Sequence, residues 1–295
     1  MKRFPFLSVI FAAALIAAVF IIIERVEIKK KAEPRHERTS QHTPESVKEG
    51  KDKITKQRPA ETVPQKQYRH VAIIIDDIGF DLKALRLLAE IPVPIAFAVL
   101  PYTPHSAEAI KYLHERKREI LLHLPMEPLS YPKATPGPGA LMADMDEQQI
   151  RCQLNDNLDV VRYASGVNNH MGSRFMEDFD RLSMLMEELN RRNLYFVDSR
   201  TTSHSKGLEA AVRTGIPFAA RDIFIDHNHG YEAAFQNLLK VSRQDKGYSR
   251  PLLLIGHPHP DTIRAVKAVI PRWESEGIRI VDVKSIPRRI AKNEY

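Results

Sequence analysis

Short apolar segments alternate with amphipathic ones from residue 68 to the end of the chain. The first, Val71–Ile75, has five consecutive apolar residues, most of them β-branched, before the chain turns polar. This pattern is typical of a strand buried on both faces. The predicted strands are Val71–Ile75, Ile95–Leu100, Ile120–Leu122, Gly166–Val167, Leu194–Val197, Pro217–Ala220, Leu252–Ile255 and an eighth at Ile278–Val281.

Helical patterns separate these strands. Regular alternation of strand and helix predicts a parallel α/β fold, and seven or eight units favour a closed or nearly closed barrel over an open sheet. Prolines break the stretch Leu124–Gly139, which is predicted to be a long loop after the third strand. The predicted helices are Leu82–Glu90, His105–Lys117, Asp146–Tyr163, Asp180–Asn193, Leu208–Thr214, Tyr231–Gln244 and Thr262–Ser275.

The first 67 residues do not follow this pattern. Twenty uncharged residues, Phe4–Ile23, come after Met-Lys-Arg and are long enough to span a bilayer as a helix. With no small-x-small site before Glu24, residues 1–23 are predicted to be an uncleaved signal-anchor. Residues 24–67 are charged and contain four prolines, which predicts a disordered tether, and residues 68–295 are the predicted domain. The basic start favours a single-pass protein of the cytoplasmic membrane with its domain on the extracytoplasmic side.

Composition argues against nucleic-acid binding and excludes an intramolecular disulfide. The net charge is +7, but residues 1–67 carry 14 basic and 8 acidic residues, which leaves the domain with 30 basic and 29 acidic ones. A nearly neutral domain is not expected to bind nucleic acid. The single cysteine, Cys152, cannot form an intramolecular disulfide, and its place in a predicted helix suggests a packing residue.

Polar residues follow almost every predicted strand. Asp76 and Asp77 are adjacent after the first, and two like charges side by side are costly unless a cation or a shared proton relieves them. Alone, such a pair would be interpreted as a helix cap and a solvated acid. The carboxyl ends of parallel strands meet at one edge, however, which makes a functional site the better hypothesis. The polar residues after the strands include Asp76, Asp77, His123, Glu127, Asn168, Asn169, His170, Arg174, Asp198, Arg200, Asp226, His257 and His259.

These residue types suit a metal site. One or two imidazoles with a carboxylate bind zinc or a similar divalent ion, and a second carboxylate can act as a general base. Arg174 and Arg200 could orient Asp76, hold an anionic substrate or form structural ion pairs. The sequence has no glycine-rich phosphate loop and no nucleophile elbow, so serine hydrolase chemistry is disfavoured.

Five motifs together resemble the divergent polysaccharide deacetylase family over residues 70–288. The resemblance implies a distorted (β/α) barrel of about seven parallel strands and an envelope location. The motifs are Ile75-Asp76-Asp77, Leu122-His123-Leu124-Pro125-Met126-Glu127-Pro128, Asn168-Asn169-His170-Met171-Gly172-Ser173, Asp198-Ser199-Arg200-Thr201 and Gly256-His257-Pro258-His259-Pro260.

The resemblance also implies roles for single residues. Asp76 matches the general base, Asp77 a metal ligand and His257 the general acid that protonates the leaving amine. His123 matches the first histidine of a His-x-x-x-His metal motif. Glu127 replaces the second, so either Glu127 or His170 completes the ligand set. We assign substrate binding to Asn169, Arg174, Asp198, Arg200 and His259.

The expected activity is that of a metal-dependent hydrolase, with zinc as the first choice of divalent metal. Its expected partners are an N-acetylated cell-envelope glycan, from which it removes acetyl groups, and the membrane. Two alternatives stay open. One is a non-catalytic envelope protein that retains the site for glycan or partner binding, and the weaker one is another metal hydrolase, such as a phosphoesterase.

Overall fold

The computed structural model of the chain describes residues 68–243 and 250–291. The predicted signal-anchor, tether and end of the sixth helix at Gln244 lie outside these ranges. Within them, none of the helices combines the length and the apolar character needed to cross a bilayer.

Nine strands alternate with seven α-helices in the described part of the chain. The strands are β1 Arg69–Ile78, β2 Ala96–Val99, β3 Ile120–Met126, β4 Gly166–Met171, β5 Tyr195–Asp198, β6 Phe218–Ala220, β7 Ile223–Phe224, β8 Leu252–Gly256 and β9 Ile278–Ile280. The helices are α1 Leu82–Ala89, α2 Ser106–Glu115, α3 Glu147–Val160, α4 Phe179–Arg191, α5 Gly207–Thr214, α6 Tyr231–Arg243 and α7 Pro260–Ser275.

The strands form one parallel sheet that curls into a half-barrel. Eight of them follow the order β6-β5-β4-β3-β2-β1-β8-β7, and β9 pairs with the start of β1. The predicted α/β class and parallel sheet are confirmed. The barrel is more open than expected, because the path ends at β6 and β7 and does not close within the described residues. Eight of the nine described strands correspond to the predicted apolar segments, and the additional one is β7, whose two residues leave no recognisable pattern.

Several strands extend further than their apolar segments. β1, β3 and β4 run on through Asp77, His123 and His170 respectively. These polar residues were expected after the strands and instead lie within their last residues. Because backbone hydrogen bonds to neighbouring strands continue there, the polar side chains stand on a rigid sheet.

Two hydrophobic layers hold the sheet. Val71, Ile73 and Ile75 pack on the outer face beneath the helices, while Ala72 and Ile74 belong to the inner layer of the half-barrel. All five are fully buried, which confirms the prediction of a strand covered on both faces.

The prediction for Cys152 was wrong, since this side chain is exposed. Ile150, Leu154 and Asn157 form the buried stripe of α3. Cys152 follows Ile150 by two positions, which places it far around the helix from that stripe.

Candidate metal centre

A β-bulge brings both aspartates of β1 to the carboxyl end of the sheet, which we call the mouth. Side chains alternate along a strand, so Asp76 continues the inner series of Ala72 and Ile74 while Asp77 would face the helices. Asp77 instead has the left-handed φ of 56°, and the pairing with β2 shifts register between Ile75 and Ile78. The bulge turns Asp77 back toward the mouth.

Three side chains from three strands converge at the mouth. Oδ1 of Asp77 lies 3.2 Å from Nε2 of His123 and 3.1 Å from Nδ1 of His170. The two ring nitrogens are 3.2 Å apart. These residues form a group whose ligand atoms could together hold one metal ion.

Asn168 fixes the orientation of this group. Its Nδ2 donates to Oδ1 of Asp76 at 2.8 Å, so its Oδ1 faces Nδ1 of His123 at 2.9 Å and accepts the hydrogen carried there. In the neutral ring Nε2 of His123 then carries no hydrogen and can offer its lone pair to a metal. A carbonyl that holds the second nitrogen of a metal-binding histidine is a recurrent arrangement in metalloproteins.

The donor set fits a divalent cation. Oδ1 of Asp77 is buried and has no hydrogen-bond partner, although both ring nitrogens are near, so it is an unsatisfied acceptor. A tetrahedral ion with bonds of about 2.0–2.1 Å holds its ligand atoms about 3.3 Å apart. The three observed separations of 3.1–3.2 Å come close to this spacing before any ion is added.

The two aspartates have opposite electrostatic environments. Burial raises the pKa of Asp76, and the charges of His123 and His257 and the Asn168 hydrogen bond offset only part of that effect. Burial also opposes charge on Asp77, but the ring nitrogens and charges of His123 and His170 outweigh it and hold its pKa well below the usual range. Asp77 is therefore suited to bind a cation, and Asp76 to take up a proton.

His257 faces the same group from β8. Its Nε2 lies 3.7 Å from Oδ2 of Asp77, and its Nδ1 bonds to Oδ1 of Asp226 at 3.0 Å. Asp226 also accepts from the His257 backbone and from Thr262. Burial disfavours the imidazolium, but the Asp226 hydrogen bond and the charges of Asp226, Asp76 and Asp77 raise the pKa of His257 to about 9. At neutral pH it carries a proton that it can donate.

Glu127 does not join the metal group. Its Oε1 accepts from Arg174 at 2.8 Å, and its Oε2 accepts from the backbone of Ala143 at 2.6 Å. Both oxygens of this buried carboxylate are thus used to close the loop that begins after β3. Of the two residues that could complete the ligand set, the structure brings His170 to Asp77 and His123.

The other predicted site residues make separate contacts. Arg174 pairs with Glu127, and Asn169 bonds to the backbones of Met171 and Ser199, which joins β4 to the loop after β5. Asp198 is buried against Ser205 and the backbone of Arg200. Arg200 is exposed. His259 is also exposed. Together with Asp226 and His257 it forms a second group of potential metal ligands. Both carboxylate oxygens of Asp226 in that group already accept hydrogen bonds from His257.

Asn168 and Asp226 were expected at this edge of the sheet, but no individual role was predicted for either. Both side chains face the inner side of the sheet, because side chains two positions apart along a strand point the same way. Asn168 follows Gly166 by two positions, and Asp226 follows Phe224 by two. That alternation was available in the sequence. Their hydrogen-bond partners could not be identified from the sequence, because Asp226 and His257 are 31 residues apart and Asn168 and Asp76 are 92 apart.

The fold and site agree with a family comparison. The family model for divergent polysaccharide deacetylases matches residues 73–286, and the chain belongs to this family. The predicted resemblance is therefore confirmed, over nearly the range expected.

Similar proteins are known from several bacteria. The uncharacterized protein YibQ of Escherichia coli K12 is 32% identical over 203 residues, which is 68% of this chain but only 62% of YibQ. An uncharacterized Haemophilus influenzae protein is 32% identical over 218 residues, 74% of this chain and 76% of its own. A crystal structure of an uncharacterized Agrobacterium tumefaciens C58 protein has the same fold, with a TM-score of 0.66 at 21% identity over 74% of this chain and 89% of its own.

Proposed function

We propose that this protein is a metal-dependent hydrolase that removes N-acetyl groups from a cell-envelope glycan. The observation that carries the proposal is the group Asp77, His123 and His170, which contains the unsatisfied Oδ1 of Asp77. Asp76 lies 3.7 Å from His123, and His257 lies 3.7 Å from Asp77. Membership of the divergent polysaccharide deacetylase family supports the choice of an amide on a sugar.

In this proposal each residue has a separate role. Asp77, His123 and His170 would hold a divalent ion, and their donor atoms suit zinc. The bound ion would polarise the acetyl carbonyl and a water molecule. Asp76 accepts the proton of the attacking water, for which its burial and raised pKa suit it. Asn168 keeps the Asp76 carboxylate in place through the hydrogen bond to Oδ1.

His257 completes the reaction as the proton donor. Asp226 holds its Nδ1, so Nε2 points toward the site and can protonate the amine nitrogen as the amide bond breaks. The products are then acetate and a glycan with a free amino group.

Metal content and acetate release test the proposal. The purified protein, stripped and reloaded with zinc, cobalt or nickel, should bind about one ion per chain and release acetate from N-acetylglucosamine oligomers or peptidoglycan. Asp76→Asn should retain the metal and lower the rate by roughly 100-fold or more, as loss of a general base does. Asp180→Asn, at an exposed acid of α4, is the matched control.

Two results would contradict the proposal. A protein that binds no ion at neutral pH lacks the proposed centre. A protein that binds the ion and the glycan but releases no acetate is the non-catalytic envelope protein considered from the sequence.

We also propose that residues 1–23 anchor the chain in the cytoplasmic membrane with its domain on the extracytoplasmic side. The support is the uncharged stretch Phe4–Ile23 behind Lys2 and Arg3. Alkaline phosphatase fused to the carboxyl terminus should be active in cells, and a fluorescent protein that folds only in the cytoplasm should stay dark. The reverse pattern would place the domain inside.

A further inference from the structure

A second group of potential metal ligands lies beside the candidate metal centre. One ligand atom each from Asp226, His257 and His259 lies within 4.8 Å of the other two. The ring centroids of His257 and His259 are 5.7 Å apart, compared with 4.9 Å for His123 and His170. Carboxylate oxygen and imidazole nitrogen are donors that zinc binds in proteins. We call Asp226, His257 and His259 the outer group.

Strands β7 and β8 bring two members of the outer group together. These strands pair in parallel, with Phe224 beside Ile255, so the residues that follow them lie side by side. A backbone hydrogen bond from Ile225 to Ile255 continues the pairing. Asp226 comes two residues after β7 ends, and His257 directly follows β8. The sheet therefore fixes the positions of both residues.

His259 adds an available imidazole to the outer group. Its side chain is exposed and, within residues 68–243 and 250–291, makes no hydrogen bond or ion pair. It is the residue that precedes helix α7, but its side chain does not cap that helix. The exposed ring of His229 is its neighbour, with the two centroids 6.4 Å apart. An exposed side chain of this kind can turn toward an ion without any movement of the sheet.

Asp226 can bind an ion despite the hydrogen bonds that it accepts. Its Oδ2 accepts from the His257 backbone at 2.6 Å and from the Thr262 hydroxyl at 2.8 Å. Its Oδ1 faces Nδ1 of His257 at 3.0 Å, and a carboxylate oxygen has two lone pairs. A tetrahedral ion holds its ligand atoms about 3.3 Å apart. The observed separation is close to that value, so an ion fits in place of the shared hydrogen.

We infer that the outer group binds a second divalent ion, zinc by its donor atoms, and that this ion inhibits the protein by occupying His257. The inhibition rests on the proposed function, in which His257 donates a proton to the leaving amine. A ring nitrogen that holds an ion carries no hydrogen, so His257 loses one proton to solvent when the ion binds. The neutral ring gives up its remaining hydrogen far less readily than an imidazolium does.

The outer group should bind its ion more weakly than the candidate metal centre does. The ligand atoms of the centre are already 3.1–3.2 Å apart, and Oδ1 of Asp77 has no hydrogen-bond partner. In the outer group, His257 must lose a hydrogen and the exposed side chain of His259 must become ordered. We expect an affinity at least about tenfold lower. Protein freed of excess zinc then keeps one ion, and inhibition begins only as zinc rises.

Equilibrium dialysis of the full-length protein against zinc, without a histidine tag, counts the ions. Wild type should bind one ion at low zinc and two in excess. His259→Ala should keep the first ion and weaken the second by about tenfold or more. His259→Cys should retain the second, because a thiolate is also a zinc ligand. His105→Ala, at an exposed histidine outside both groups, is the control.

Acetate release at low and at excess zinc measures the inhibition as a ratio of two rates within each protein. The wild-type rate should fall by about tenfold or more as the second ion binds, since an acid catalyst contributes at least that much. The same zinc concentrations should change the rate of His259→Ala much less. A second readout is independent of turnover: the ring signals of His257 in nuclear magnetic resonance spectra, identified by their loss in His257→Gln, should change again at the second ion.

Several results would overturn the inference. They are a single ion at every zinc concentration, a second ion that His259→Ala binds as well as wild type does, His257 signals that do not respond to it, and acetate release that is unchanged or faster with both ions bound. Failure of the hydrolase proposal looks different, because no acetate is then released at any zinc concentration. The ion count and the His257 signals would still decide whether the outer group holds a second ion.

Discussion

Asn168 occupies the centre of the hydrogen-bond network at the mouth. One side of its amide bonds to Asp76, the proposed base, and the other side bonds to His123, a proposed metal ligand. A side chain in this position controls the direction of both groups without contacting substrate. It is a positioning residue, and its loss should be visible in metal binding as well as in catalysis.

Asn168→Ala is expected to weaken zinc affinity by about 10- to 100-fold, because His123 loses the acceptor that fixes its tautomer. Asn168→Asp keeps an acceptor for Nδ1 but removes the donor to Asp76, so it should retain more of the affinity. Competition with a chromophoric chelator measures both. Asn155→Ala on helix α3 controls for the loss of an amide. Equal affinities for wild type and Asn168→Ala would contradict the role.

Secondary-structure elements determine which polar residues reach the mouth. Alternate residues of each strand face the inner side of the sheet. These inward positions include Asp76, His123, His170 and His257, whereas Asn169 and Asp198 occupy outward ones. The latter two, which were predicted to bind substrate, make hydrogen bonds that join loops, and their substrate role stays a prediction. Alternation within the strands was thus enough to separate several of the candidates, but not Glu127, which shares the phase of His123, and Asp77 reaches the mouth against its phase. Its bulge has no recognisable pattern in the sequence.

The left-handed backbone of Asp77 gives a prediction at the level of this bulge. Asn adopts the left-handed region more readily than most residues, while a β-branched residue avoids it. Metal-free Asp77→Val should therefore be less stable than metal-free Asp77→Asn by roughly 1–2 kcal/mol.

Urea unfolding of both Asp77 variants, with chelator present, measures the difference. Both variants lack the negative charge and the metal ligand, so the comparison isolates the backbone. If Asp77→Val were as stable as Asp77→Asn, the bulge would not depend on the residue at this position.

Glu127 gives a second prediction for an element, the loop 128–140. Glu127→Gln should leave zinc affinity within about twofold, because the carboxylate is not among the ligands. It should also weaken the pair with Arg174 and loosen the loop. Faster trypsin cleavage after Lys133 and a chelator competition measure the two effects. Exposed Glu187→Gln is the control. A large loss of zinc affinity would instead make Glu127 a ligand.

At the scale of the whole molecule, the order of strands and helices could be predicted from the sequence. Whether the sheet closes into a complete barrel could not. Apolar segments marked eight of the nine described strands, since buried parallel strands are apolar on both faces. Closure depends on pairing between strand edges, which leaves no local pattern. The choice between Glu127 and His170 as a metal ligand could not be made for a similar reason, because only the curl of the sheet brings His170 close to Asp77 and His123.

The stability of the whole molecule should depend on pH through His257. Its pKa is about 9 in the folded protein and about 6.5 in an unfolded chain. Because the folded value is higher, the stabilisation is fully present below pH ~6.5 and is lost as pH rises through about 9. The free energy of unfolding of the metal-free wild type should thus fall toward that of His257→Gln across this range.

Urea unfolding at several pH values measures this effect, and exposed His105→Gln controls for the loss of a histidine. A difference between wild type and His257→Gln that stays constant from pH 6 to pH 10 would show that the Asp226–His257 pair is not the cause.

Strand β1 also has a consequence for the order in which the molecule can assemble. One side of it pairs with β8, residues 252–256, and the opposite side pairs with β9, residues 278–280, at its start and with β2 further along. One edge of the first strand therefore has no partner until almost the entire chain has been synthesised. Contacts this distant in sequence slow folding. Since Asp76 and Asp77 lie on β1 and His257 directly follows β8, a nascent or truncated chain cannot possess the complete site.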